Sequence, residues 1–226
     1  MSAPQARALV VLLAALSTLG GCGWISALDV GYPEAAANPA LLASVAPRQV
    51  VVGAIADRRV DKTRVGTKPK DGKAIVTRRP VTDIVREALV VEMAKNGHAV
   101  VPQAGDVVLA GDVEEFSLDV VGSSSTTLFV GRVAIALVVA DGRTGTRLLT
   151  RRYAGAKRRE GEADSRTVQR EVMDSALART LHDFATDPEF VATLARLPIA
   201  DSGSPRLKTG HRVVSASLSG ETRPKR

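Results

Sequence analysis

The sequence predicts an α+β fold: a mostly antiparallel sheet with a meander of long strands, two main helices packed on one side of it, and a short C-terminal helix. Three observations carry the prediction. Between Asp106 and Arg159 three long strand-like segments follow one another, two of them apolar and the third carrying many outward Arg and Lys, separated by short turns rich in Gly, Ser and Asp, as in an antiparallel meander. Two segments of helical period, Val81 to Lys95 and Ser165 to Phe184, bracket that block. The composition is 45% hydrophobic but only 3% aromatic, so the core is aliphatic, and its β-branched part favours strands.

In chain order, Met1 to Arg7 is short and polar with one positive charge, Ala8 to Leu16 is unbroken Ala, Val and Leu, and Ser17 to Gly21 turns small. These are the three regions of a secretory signal peptide, and at about a dozen residues the apolar part is too short to span a bilayer. Cys22 is the only cysteine of the 226 residues. The box Leu19-Gly20-Gly21-Cys22 resembles the bacterial lipobox, which implies cleavage before Cys22 and a diacylglycerol on its thiol. An exported chain normally pairs its cysteines, and lipidation accounts for the odd count. In enterobacteria-like sorting an aspartate after the cysteine retains a lipoprotein on the inner membrane; here Gly23 follows, which implies the periplasmic face of the outer membrane. From Gly23 to Pro47 the chain carries Pro33, Pro39 and Pro47 with no clear period, so residues 22–47 read as a lipid-anchored flexible tether.

A single domain is expected over residues 48–196. Gln49 to Ile55 reads as a buried strand and Lys73 to Thr77 as a second. Pro80 suits the first turn of an amphipathic helix that Asn96-Gly97 ends. A short strand is expected at Val100-Val101. From Asp106 to Val121 the apolar parity switches from Val107, Leu109 and Val113 to Phe116, Leu118 and Val120, which requires a bulge near Glu114-Glu115. Leu128 to Ala140 is so continuously apolar that it reads as a central strand covered on both faces. Asp141-Gly142 and Gly145 mark a hairpin, and Arg147 to Arg159 returns as a strand. Ser165 or Asp164 caps a second helix, and Asp187-Pro188-Glu189 starts a short third one. Residues 197–226 read as a disordered basic tail.

The search for chemistry finds no constellation. Gly66 to Lys73 fails as a phosphate loop, since five residues separate Gly66 from Gly72, Ala74 follows Lys73, and a strand comes next. His98, His182 and His211 lack paired ligand spacing, so no metal and no cofactor are expected. Positive charge collects in the loop holding Arg58, Arg59, Lys62, Arg64, Lys68, Lys70 and Lys73, beside Arg78-Arg79, with a second group at Arg151, Arg152, Lys157, Arg158 and Arg159. With only Asp57, Asp61 and Asp71 nearby in sequence, four cations of the loop are left over. They read as either a solvated surface or a binding face, with Arg58, Arg59, Lys62 and Arg64 as its candidate residues. On that reading, Arg58→Glu with Arg59→Glu weakens binding and leaves the melting temperature nearly unchanged. The export signal directs the basic balance away from nucleic acid and toward an anionic lipid or an acidic envelope protein; oligomeric state is left open.

The lipobox, a first strand leading into Asp57-Arg58-Arg59, Gly66, the Arg79-Pro80 helix start with its Asn96-Gly97 end, the Gly105 to Gly111 strand and the closing Asp187-Pro188-Glu189-Phe190 together resemble the YajG-type bacterial lipoproteins over residues 19–196. The basic tail is outside that pattern. The resemblance implies an outer-membrane lipoprotein without established enzymatic activity and supplies no catalytic residues. The function expected is a non-catalytic adaptor or accessory in envelope assembly or transport, the alternative being a periplasmic hydrolase.

Overall fold

The computed structural model describes residues 26–32, 41–122, 126–162 and 164–198. Cys22, the signal peptide, His211 and nearly all of the basic tail lie outside the described residues. The elements are β1 (Ser26–Leu28), a short 3-10 turn (Leu41–Ser44), β2 (Gln49–Asp57), β3 (Gly66–Thr67), β4 (Ala74–Thr77), α1 (Val81–Lys95), β5 (Ala99–Val100), β6 (Val107–Gly122), β7 (Thr127–Asp141), β8 (Arg147–Gly161), α2 (Arg166–Thr186) and α3 (Pro188–Arg196). They form an α+β fold with the helices on one side of an eight-stranded sheet.

By paired length the sheet is mostly antiparallel, because β6, β7 and β8 form the long meander. The shorter pairings of β1 with β4, β2 with β5 and β6, and β3 with β6 are parallel. One flank of β6 carries β2 near its start and β3 near its end, and β7 covers the other flank. This puts β1 and β8 at opposite edges of the sheet.

The parity switch in β6 is the bulge it requires: the register with β7 slips between Val113 and Glu115. Val107, Leu109 and Val113 before it, and Phe116 and Leu118 after it, all point into the core. Without the extra residue, Phe116 and Leu118 would face solvent.

On β7 the expectation of burial on both faces is corrected. Phe129, Val133, Ile135, Leu137 and Val139 are buried under α2, whereas on the other face Leu128, Val130, Ala136 and Val138 are only half-buried and Ala134 alone among the apolar residues is fully buried. No helix covers that second face among the described residues; it is built of small aliphatic side chains crossed by ion pairs such as Arg132–Asp119 and Arg152–Glu114. A run of Ala and Val reads the same whether a helix or a set of charged neighbours shields it.

Helix α2 approaches the sheet closely because of glycine. A Cβ on Gly155 would lie 2.4 Å from the Ala176 carbonyl oxygen and 2.6 Å from the Thr180 nitrogen. Ser165 caps α2 by accepting from the Val168 N–H, and Asp187 caps α3 through the Glu189 N–H at 2.9 Å. The same Asp187 accepts from the buried Tyr153 hydroxyl at 2.8 Å, and burial raises the phenol's pKa. Tyr153 meets Phe184 edge-on, and Phe184 packs on Phe190.

The tether expected over 22–47 ends early. β1 adds a strand beside β4, and Leu28, Val30, Leu42 and Val45 are buried in the core. The Gly31 N–H donates to Asp174 on α2 at 2.9 Å, and the Tyr32 hydroxyl donates to the buried Glu92 on α1. A three-residue strand offers no period to read, and the prolines around it signal a linker. No described helix is long and apolar enough to cross a membrane.

Candidate functional site

The loop that leaves β2 is held together by Arg59. Its side chain is 8% exposed and lies against Asp57, with Nη2 2.9 Å from Oδ2 and Nε 3.1 Å from Oδ1. Nη1 donates to the carbonyls of Arg64 and Phe116, and Nη2 to that of Lys62. Asp57 is partly desolvated, which opposes ionisation, but the hydrogen bonds and charge of Arg59 outweigh this and hold its pKa below the ordinary carboxylate value. Asp61 accepts from the Thr63 N–H, the Thr63 hydroxyl and Arg64 Nε, the last at 2.7 Å.

The fold also supplies carboxylates that lie far away in sequence. Arg58 pairs with Asp112 at 3.5 Å and Lys68 with Asp164 at 3.2 Å, while Lys73 takes the neighbouring Asp71 at 3.1 Å. Among the described residues, only Lys62 and Lys70 of the seven loop cations have no ion pair, rather than the four left over by counting neighbours in sequence. The expectation that Arg58 and Arg59 can both be reversed in charge at no cost is corrected for Arg59, because its guanidinium is buried and bonded on every side.

Three of the four candidate residues come together. An open pocket of about 470 Å³ lies between the loop and the start of α1, and Arg59, Lys62, Arg64, Arg78 and Arg79 line it together with a single carboxylate, Asp57. Arg58 lies outside it, on Asp112. Arg79 is held by Glu87, while Arg78 is exposed and reaches Asp29 only at 3.9 Å. The pocket also faces the first turn of α1, whose N-cap is Pro80 and which has no side-chain cap. Its uncapped N–H groups add the positive end of the helix dipole to the cations. Beside the pocket, at the loop's tip, Val60 is fully exposed, an apolar side chain flanked by charge.

This arrangement can hold a phosphate or carboxylate group. The sequence pointed to the loop and to Arg78-Arg79 separately; their meeting depends on β3 and β4, which fold the loop back beside the start of α1.

No family model matches this chain, and neither does any curated protein. Its fold is like that of a Xanthomonas campestris protein of the DUF330 family, with 16% identity, a TM-score of 0.50, and coverage of 75% of this chain and 95% of that one. More distant likenesses include a lipoprotein from Neisseria meningitidis (13% identity, TM-score 0.33, covering 49% of this chain and 83% of that one) and a minor lipoprotein from Acinetobacter baumannii (13%, 0.35, 61% and 91%). At such identities the Xanthomonas structure supports the fold alone, and the other two carry no argument.

Proposed function

We propose that this chain is a lipid-anchored, non-catalytic envelope protein that holds its basic pocket against anionic headgroups at the periplasmic face of the outer membrane, as an adaptor in envelope assembly or transport. The carrying observation is the place of β1. Cys22 and Ser26 are four residues apart, at most about 15 Å of chain. β1 runs parallel to β4 with Ser26 beside Ile75, three residues or about 10 Å along the strand from Arg78 of the pocket. A lipid on Cys22 therefore keeps the domain close to the bilayer by the edge that carries the pocket, where Val60 and the cations suit the headgroup layer. The lipobox and the resemblance to YajG-type lipoproteins support the anchor, and Gly23 supports the outer membrane.

The test is vesicle binding by a chain that begins at Ser26 and so lacks the anchor. Vesicles containing phosphatidylglycerol should bind it and phosphatidylcholine vesicles should not, with steep loss as salt rises. Lys62→Glu with Arg78→Glu should weaken binding by more than about tenfold, since each juxtamembrane cation is worth about 1 kcal/mol. Unchanged binding by a folded double variant would remove the pocket from the proposal.

A further inference from the structure

Strand β8 forms the sheet edge opposite β1, about 24 Å away across five strand spacings. It pairs with β7 alone. The Ala156 carbonyl accepts from Arg179 Nη1 at 2.8 Å, so Ala156 turns its backbone groups away from β7. Residues of the same parity, Arg152, Ala154 and Arg158, share that orientation. All four are exposed, and no other described strand lies along this edge.

Natural edges are blunted by shortness, proline, bulges or charge. Here the edge strand is 15 residues long, has no proline, and slips register only near its hairpin end, at Val139/Ala140. What distinguishes it is charge. Arg151 is held by Asp187 and Glu189, Arg152 by Glu114 and Arg159 by Glu171. Lys157, Arg158 and Arg179 have no ion pair among the described residues, and they line an open pocket with Val130 and Ala156. A second copy docked β8 to β8 would set cations against cations, which is destabilising. The complementary strand is acidic.

We propose that the free edge of β8 receives an extended acidic segment of a partner protein by strand addition. Its backbone pairs with Arg152 to Arg158, and its carboxylates meet Lys157, Arg158 and Arg179. Main-chain bonds give such a complex its affinity, and side chains of the added strand give it specificity. The proposal is independent of the pocket at α1, which lies toward the other edge and is tested with other residues.

The probe is a synthetic peptide of alternating Glu and Val, titrated against the full mature chain in detergent micelles while backbone amide exchange is followed. The expected result is saturable binding, with new protection at the amides of Arg152, Ala154, Ala156 and Arg158. The same peptide N-methylated throughout, which keeps its charge but cannot pair, should not bind. Ala154→Pro removes an outward N–H and no bond to β7, so the melting temperature should hold while affinity falls about tenfold. Lys157→Glu with Arg158→Glu should weaken binding by at least as much. Equal binding of the N-methylated peptide would reduce the site to charge alone and overturn strand addition, and so would binding without protection at those four amides. Absence of peptide binding would show a guarded edge that takes no strand. Self-association abolished by Ala154→Pro would make a second copy the occupant.

Discussion

At Arg59 a single guanidinium serves Asp57 and three backbone carbonyls, and truncating it leaves all of them short of a donor. Breaking such a buried pair costs about 3 kcal/mol, so Arg59→Ala should lower the denaturation midpoint markedly. Arg58→Ala should change stability by less than about 1 kcal/mol, because its bond to Asp112 is exposed on both sides. Equal midpoints in chemical denaturation would show that Arg59 is not the peg of the loop. The sequence shows both arginines as adjacent and alike; which one turns inward is set by the end of β2 and by Phe116 on β6, contacts that no local pattern encodes. His98 makes a second residue-scale case. It is 3% exposed, its Nδ1 accepts from the Arg48 N–H, and Arg48 is itself buried with Nε and Nη1 unbonded. Burial pushes the imidazole below its ordinary pKa, and the Arg48 charge acts the same way against the pull of the Leu42 carbonyl. The unfolded chain takes up a proton near pH 6.5, whereas the folded chain resists it, so stability should fall as pH drops through about 6.5. His98→Gln should flatten that part of the pH profile of the melting temperature; an equally steep profile would place the proton uptake elsewhere.

Among the elements, those with a period were readable and those without one were not. The helices α1 and α2, the caps at Ser165 and Asp187 and the bulge in β6 all follow from spacing, because burial of one face imposes a repeat of 3.6 or 2 on the sequence. The strands β1 and β3 are two or three residues long, too short for a repeat, and their parallel partners lie tens of residues away, whereas β5, equally short, forms at Ala99–Val100, overlapping the apolar pair Val100-Val101 where a strand is expected. The pocket inherits this division: its cations stood out as charge, but the turn that gathers them is built by β3 and β4. Glycine gives an element-scale test. Gly155 faces α2 at a distance that leaves no room for a Cβ, so Gly155→Ala must lift the helix or bend β8. Overpacking of this kind costs about 3 kcal/mol, and the variant should melt well below the parent chain. Gly145→Ala probes conformation rather than space, since Gly145 has a φ of 71° with nothing within 4 Å, and its effect should be closer to 1 kcal/mol. A larger loss at Gly145 than at Gly155 would contradict the close helix–sheet contact.

For the whole molecule, the boundary of the folded unit decides how the proposed anchor on Cys22 would act. If folding began at residue 48, some two dozen residues would separate Cys22 from the domain and let it range far from the bilayer. The structure instead begins pairing at Ser26, and the segment to Tyr32 bonds to both main helices through Glu92 and Asp174. Each of Leu28, Val30, Leu42 and Val45 is worth roughly 1.5–3 kcal/mol if fully buried, together comparable to the stability of a whole domain. A fragment of residues 26–198 should therefore melt cooperatively, and one of residues 48–196 should melt at least about 10 °C lower or fail to fold. Equal melting of the two would return residues 26–47 to the role of a tether. With the longer unit, the proposed membrane contact and the proposed partner fall on different edges of one sheet: β1 starts four residues after the proposed lipid site at Cys22, and β8 ends the sheet on the far side, with no other described strand along its outer flank. Because β4, β3 and the meander β6–β7–β8 join these edges in one hydrogen-bonded sheet, a strand added at β8 would be held at a fixed distance from the bilayer. Lengthening the chain between Cys22 and Ser26 with a Gly/Ser insert should then leave peptide affinity at β8 unchanged and increase the height of the bound strand above a supported bilayer, as read by neutron reflectometry. An unchanged height would show that contacts other than the short anchor hold the domain at the surface.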